Sequence, residues 1–326
     1  MKLGTDHPIS LSRRTFFAAG AAAFFLPKSS LAATNLSVVA TTGMIADTVL
    51  RVGGDAVDVT ALMGPGVDPH AYRQTRTDIL AMSRADLIVA NGLFLEAQLE
   101  EVLGDFAGRT EVLMAAEAVP QTALFDHEDY ADKFDPHVWM DPALWTSVVD
   151  AVEATLIKLR PEAADTFAAN ATAMRDDLVG LNTYAKEVLS TVAEPARVLV
   201  TAHDAFRYFG SAYGWDVSGI QGISTESEAG LARIADVVDM LVTRDIGAVF
   251  VESSVSDRNV RALIEGAGAK GHDVRIGGEL YSDAMGAPGT YEGTYLGMVD
   301  HNVTTIASAL GGTAPARGWQ GKLAAG

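Results

Sequence analysis

Between Pro161 and Pro195 the chain carries a helical pattern without interruption. Ala164, Phe167, Ala171, Met174, Leu178, Leu181, Ala185, Val188 and Val192 recur at steps of three and four, the spacing that gives an α-helix one apolar face. The pattern predicts a single helix over residues 162–192. Pro161 suits a helix start, where its missing N–H is not needed, while Pro195 cannot continue a helix and disfavours α geometry at Glu194. At about 1.5 Å per residue the helix would run roughly 45 Å, longer than a small domain is wide, so it spans two domains more naturally than it fits inside one. A coiled coil could show the same alternation, but the flanking positions mix Asp, Asn, Thr and Gly instead of paired opposite charges.

Strand and helix patterns alternate on both sides of this rod. Before it come strand-like runs at 36–40, 57–63 and 87–90, with helical runs at 44–52 and 75–83. After it come strands at 197–201, 216–221 and 248–251, with helices at 205–213 and 231–243. Strands joined through helices imply parallel sheets covered on both faces. The expected fold is α/β: two lobes, each a central parallel sheet flanked by helices, joined by one long backbone helix with a cleft between the lobes. The corresponding boundaries are a leader over 1–33, an N-terminal lobe over 34–160, the connecting helix over 161–193, a C-terminal lobe over 194–311 and a flexible Gly/Ala/Pro-rich tail over 312–326. Thr225-Glu226-Ser227-Glu228 resembles a capping box opening the 231–243 helix. Asp204 is expected to cap the 205–213 helix, or to orient His203.

The leader reads as an export signal of the twin-arginine type. Ser12-Arg13-Arg14-Thr15-Phe16-Phe17 precedes an apolar run, and Ser30-Leu31-Ala32-Ala33 offers small residues for cleavage after Ala32 or Ala33. The apolar run is shorter than the ~20 residues a bilayer core requires. The expected location is the periplasm. Cysteine is absent from the 326 residues, which removes disulfides, thiolate chemistry and soft metal ligation. From the same absence comes the expectation that the protein is not lipid-anchored. The formal charge is −18, and the leader removes more basic residues (Lys2, Arg13, Arg14, Lys28) than acidic ones (Asp6). Such a surface repels nucleic acid and anionic lipid while concentrating cations around the protein.

Three histidines lie in loops expected to follow strand ends: His70 in Asp68-Pro69-His70, His137 in Asp135-Pro136-His137-Val138-Trp139, and His203 just after the 197–201 strand. Asp283, in Gly278-Glu279-Leu280-Tyr281-Ser282-Asp283, follows a strand at 274–276. Ligands of open parallel sheets bind beyond the carboxyl ends of the strands, so these four can converge on the cleft. Imidazole nitrogen with carboxylate oxygen suits a divalent first-row metal, whereas calcium or magnesium demands nearly all oxygen. Proline before His70 and His137 limits the freedom each loses on binding. The remaining histidines read as ordinary: His272 in a turn, His301 packing or capping, His127 within a solvated acidic run, and His7 in the leader.

With these residues in view, the chain from about 35 to 310 resembles the cluster A-I solute-binding proteins of ABC transporters for manganese and zinc, most closely the treponemal-type, three-histidine branch. Asp68-Pro69-His70, Pro136-His137-Val138-Trp139, Val200-Thr201-Ala202-His203-Asp204-Ala205-Phe206 and Gly278-Glu279-Leu280-Tyr281-Ser282-Asp283 carry the resemblance. It implies two α/β lobes on one backbone helix, with the family's ligand positions falling on His70, His137, His203 and Asp283. It further implies one bound divalent ion carried as cargo, manganese or zinc with iron also admitted, an ABC membrane permease as partner, and a monomer. Zinc-dedicated relatives carry a long His-rich loop between the first two ligands, where residues 121–135 hold only His127. Many manganese-dedicated relatives have glutamate at the place of His203. The balance favours manganese with zinc also bound, a zinc-dedicated carrier being the alternative.

Binding by neutral imidazoles should weaken as pH falls through about 6 to 6.5. A rigid helical connector implies a small rocking of the lobes, not a wide hinge closure. The rival from another class is a secreted metallohydrolase with Glu279 or Asp204 as general base. No His-Glu-x-x-His motif or nucleophile elbow supports it, and the chain is expected not to be an enzyme.

Overall fold

In the computed structural model, residues 35–324 apart from 129 and 228 are described. The segment expected to be a twin-arginine leader, residues 1–33, lies outside them. Hydrophobic alternation resolves into two βα series. The first is β1 (Leu36–Ala40), α1 (Gly43–Gly53), β2 (Val57–Ala61), α2 (Arg76–Met82), β3 (Leu87–Ala90), α3 (Glu100–Ala107) and β4 (Glu111–Met114), followed by α4 (Pro142–Leu159) and α5 (Ala164–Leu189). The second is β5 (Val198–Thr201), α6 (Arg207–Tyr213), β6 (Asp216–Gly219), α7 (Leu231–Arg244), β7 (Ala248–Glu252), α8 (Arg258–Ala269), β8 (Arg275–Leu280) and α9 (Tyr295–Ala309).

The first series forms a four-stranded sheet of order β2-β1-β3-β4, parallel throughout. Its strand order reverses between β1 and β3, and the crevice beyond their carboxyl ends opens there. The second half departs from a single sheet. It holds two parallel pairs, β5-β6 and β7-β8, with β5 packed beside β7. At the carboxyl ends of β5 and β7 the link is a side chain: the His203 N–H donates to Glu252 Oε1 (2.9 Å). A bulge at Val249/Phe250 shifts the β7-β8 register, and β8 runs on to Leu280.

The rod is α5, 26 residues long and so about 39 Å at 1.5 Å per residue. Pro161–Ala163 forms a 3-10 turn before it, and it ends at Ser190. Phe167, Ala171, Met174, Leu178, Leu181, Ala185 and Val188 are all buried, as their spacing requires. This face packs on α1 and α4 from the first series and on α9 from the second. One continuous core therefore includes residues of both halves. Trp145 of α4 stacks on Tyr295 of α9, with centroids 5.2 Å apart and planes 4° from parallel. The Tyr295 hydroxyl donates to the Trp139 carbonyl (2.8 Å).

Local expectations fail at three places. Thr225 and Glu226 form no capping box: α7 starts after Gly230 without a side-chain cap, and both side chains reach the first half of the molecule instead. Asp204 caps nothing, because α6 begins only at Arg207, after Phe206. The tail, expected to be flexible, is docked. The Trp319 N–H donates to both oxygens of Asp300 (2.9 Å each) and Leu323 is buried, so a large aromatic outweighs the local Gly and Ala content. The box that does form is at α2, where Thr75 Oγ1 accepts from the Asp78 N–H and Asp78 Oδ2 accepts from the Thr75 N–H.

Candidate metal centre

Two of the four side chains expected to converge, His70 and His137, are set by carboxylates two residues before them, and His203 by one that the fold brings from another strand. At His70, Asp68 Oδ1 accepts the backbone N–H (2.9 Å). At His137, Asp135 Oδ1 accepts the backbone N–H (3.0 Å) and also faces the ring Nδ1 (2.7 Å). His203 is held in the same way by Glu252: Oε1 takes its backbone N–H and Oε2 lies 2.5 Å from Nδ1. A carboxylate at Nδ1 keeps the proton there, leaving the Nε2 lone pair directed inward. Asp283 lies just beyond β8, in a turn where the Ser282 carbonyl accepts the Trp139 indole N–H (2.8 Å).

The inward atoms meet at one point. His137 Nε2 is 3.3 Å from His70 Nε2 and 3.3 Å from His203 Nε2. Asp283 Oδ1 is 3.4 Å from His137 Nε2, and Oδ2 is 3.2 Å from His203 Nε2 and 3.9 Å from His70 Nε2. A tetrahedron with metal–ligand legs of about 2.0–2.1 Å has edges of about 3.3–3.4 Å; the two imidazole pairs at 3.3 Å match such an edge, while His70 and Asp283 stand wider at 3.9 Å. All four residues are buried, and both Asp283 oxygens lack a hydrogen-bond partner. Leaving carboxylate oxygens buried and unpaired is costly unless a cation sits against them. The cluster is able to hold a metal ion, and among the described residues no second group of this kind gathers.

Charge within the cluster is strongly coupled. Burial opposes charge on His137, but the Asp135 and Asp283 carboxylates outweigh it and push His137 up to about 9. Burial opposes charge on His203 too, and Asp283 and Glu252 raise it well above the usual histidine range. Burial dominates at His70, which falls to about 3. Burial alone would raise Asp283, yet the neighbouring His203 and His137 hold it well below the carboxylate range. The same carboxylates that orient His137 and His203 thus favour their protonated forms in the metal-free cluster.

Trp139 and Phe206 are fully buried, and the Trp139 ring packs on His137 (5.1 Å). Of the other histidines, His272 Nε2 bonds the Ile246 carbonyl and His301 Nε2 the Glu279 carbonyl. His127 is not solvated: it is 8% exposed and packs on Tyr130. Asp204 is not the partner of His203. Its carboxyl is pushed up to about 6, first by burial and then by Asp135. Sequence reasoning missed Glu252, which ends the strand Ala-Val-Phe-Val-Glu 49 residues from the histidine it holds, and it gave Asp135 no role.

Paired parallel-sheet halves around a buried cluster of three imidazoles and one carboxylate define a metal-binding solute-binding protein. The chain belongs to the ZnuA family, described as zinc-uptake complex component A, periplasmic, whose pattern matches residues 38–309. It is thus a periplasmic metal-binding component of ABC metal uptake, not an enzyme. It is similar to the manganese-binding lipoprotein MntA of Bacillus subtilis, 47% identical over 84% of this chain and 90% of that one. To the zinc-binding protein TroA of Treponema pallidum it is 45% identical over 84% of this chain and 88% of that one. The solved structure of periplasmic TroA superposes with a TM-score of 0.82, at 44% identity over 85% of this chain and 99% of that one.

These relatives correct one expectation. MntA is named a lipoprotein, as is FimA of Streptococcus parasanguinis, 29% identical over 86% of this chain and 91% of that one. Relatives matched over most of this chain are thus named as lipoproteins, which points toward lipid anchoring and overturns the expectation of an unanchored carrier.

Proposed function

We propose that His70, His137, His203 and Asp283 together bind one divalent transition-metal ion as cargo, manganese by preference with zinc also accepted. Acting as a monomer, the protein passes that ion to the membrane permease of an ABC transporter. In this reading residues 34–160 and 194–311 act as lobes on the helix 161–193, with the ion in the cleft. The observation that carries it is the convergence of four buried donor atoms, from four separate loops, within 4.8 Å of one another.

The preference for manganese draws support from the carboxylate. Asp283 turns one oxygen toward His137 and the other toward His203, offering three nitrogens and two oxygens to an ion that accepts more than four donors. Likeness to a protein named for manganese points the same way. Zinc binds N/O sites of this type more tightly by the Irving–Williams order, so manganese loading depends on supply and geometry, not on raw affinity. The zinc-dedicated alternative is favoured by the near-tetrahedral donor spacing and by likeness to a protein named for zinc.

Elemental analysis of the protein purified without chelator from its native host tests the choice. Manganese in excess of zinc is expected. Zinc alone would establish the zinc-dedicated reading. An empty protein that also takes up neither ion in calorimetric titration would remove the function altogether. His203→Ala is expected to abolish tight binding while both halves stay folded.

A further inference from the structure

Of the four clustered side chains, only that of His70 is exposed at all, at 4%, against none for Asp283, His137 and His203. The His70 edge is thus the shortest way out of the site. Phe94 from the first half, with Ser224 and Glu226 from the second, lies over that edge. Phe94 is placed there by unusual backbone. Gly92, Leu93 and Phe94 have successive φ values of 78°, 54° and 71°, a left-handed path that side-chain-bearing residues resist. Glu96 holds the turn by accepting the N–H groups of Asn91 and Gly92.

Two hydrogen bonds close the seam between the halves at this point. Thr225 Oγ1 donates to Asp68 Oδ2 (2.5 Å), and Gln98 Nε2 donates to Glu226 Oε1 (2.8 Å). Asp68 also accepts the His70 backbone N–H through its other oxygen. One carboxylate therefore grips the His70 loop on one side and the 224–227 loop on the other. We infer that Asp68 is a positioning residue for His70 and that Thr225, assisted by the Gln98–Glu226 pair, latches the mouth of the site and sets the rate at which the metal leaves. The inference rests on the reading that the four clustered residues bind the ion. Breaking the latch lets the His70 loop swing away from the other donors while the Asp135 and Glu252 devices stay intact. This assigns His70 as the first ligand to detach.

Stopped-flow transfer of Zn2+ or Mn2+ from the loaded protein to a chelator tests the latch in Thr225→Val, Gln98→Ala, the double variant and Thr225→Ser. Losing a hydrogen bond to a charged group should speed release by about tenfold in Thr225→Val and further in the double variant. Association rates should stay within about twofold, and Thr225→Ser should release like the wild type. A merely structural role would instead lower the melting temperature of the metal-free protein and leave the ratio of release to association unchanged. Release at the wild-type rate in the double variant, or a change confined to association, overturns the latch while leaving the site assignment intact. A wild-type protein that takes up neither ion overturns both.

Discussion

Glu252 fixes the His203 imidazole at two points, backbone N–H and Nδ1. Replacing it with glutamine keeps the shape but removes the charge that holds the Nδ1 proton in place. Loss of such an outer partner weakens metal sites by roughly 10- to 100-fold, so Glu252→Gln should bind metal that much less tightly by calorimetry, with the protein still folded. Unchanged affinity would deny Glu252 this role. The same carboxylates alter the pH response read from sequence. With His137 raised to about 9 and His203 raised well above its usual range, the metal-free cluster is protonated at neutral pH and metal must expel those protons. Apparent affinity should therefore keep climbing through neutrality toward pH 9 instead of reaching a plateau above about 6.5. Titrations at fixed pH in buffers of differing ionisation enthalpy read the protons released per ion, and a count near zero at pH 7.5 would contradict this. The four inward groups were legible because Pro-His and loop positions after strands are local signals. Glu252 was not, because its partner lies in another strand and only the fold brings them together.

For the elements, periodicity was the stronger guide where burial is one-sided and long. The α5 face obeys it from Phe167 to Val188, and each of its side chains fills space that no neighbour can close. Leu178, 1% exposed in the core shared by both halves, should cost about 2–5 kcal/mol when cut to alanine. Urea denaturation of the metal-free protein measures that loss. Because α5 contributes no donor to the cluster, metal affinity should be kept under folding conditions, and a parallel fall in affinity would tie the helix directly to the site. Short signals fared worse. Thr225-Glu226 has the composition of a helix cap, but Thr225 finds the Asp68 carboxylate and the helix starts from Gly230. The tail was misjudged because local Gly content does not reveal that Trp319 lies against Gly180, where any side chain would collide with the indole. That contact joins two segments far apart in the chain. The parting of the second sheet into two pairs was equally hidden, since strand patterns specify faces and leave the partner unspecified.

Across the molecule, the acidic surface and the buried cluster serve different steps. The formal charge of −18 gathers cations over distances of order the Debye length, about 8 Å at physiological salt, without selecting among them. In the proposed reading the buried donors supply the affinity. Metal binding must then appear as stability, because the unfolded chain has no such convergence of ligands. At a free-metal concentration of 100 times Kd the folded state should gain about 2.7 kcal/mol. How far the halves move to achieve this is decided by what joins them. The face of α5 packs on α1, α4 and α9, and the Trp145–Tyr295 stack and the Tyr295–Trp139 hydrogen bond cross between the series. Packed interiors resist continuous deformation, so closure on the ion should be a slight rocking. Small-angle scattering of metal-free and metal-loaded protein should give nearly the same radius of gyration, while the thermal midpoint rises with metal concentration. A contraction of several ångströms on loading would mean that the aromatic stack parts in the metal-free state and that α5 does not set the range of motion.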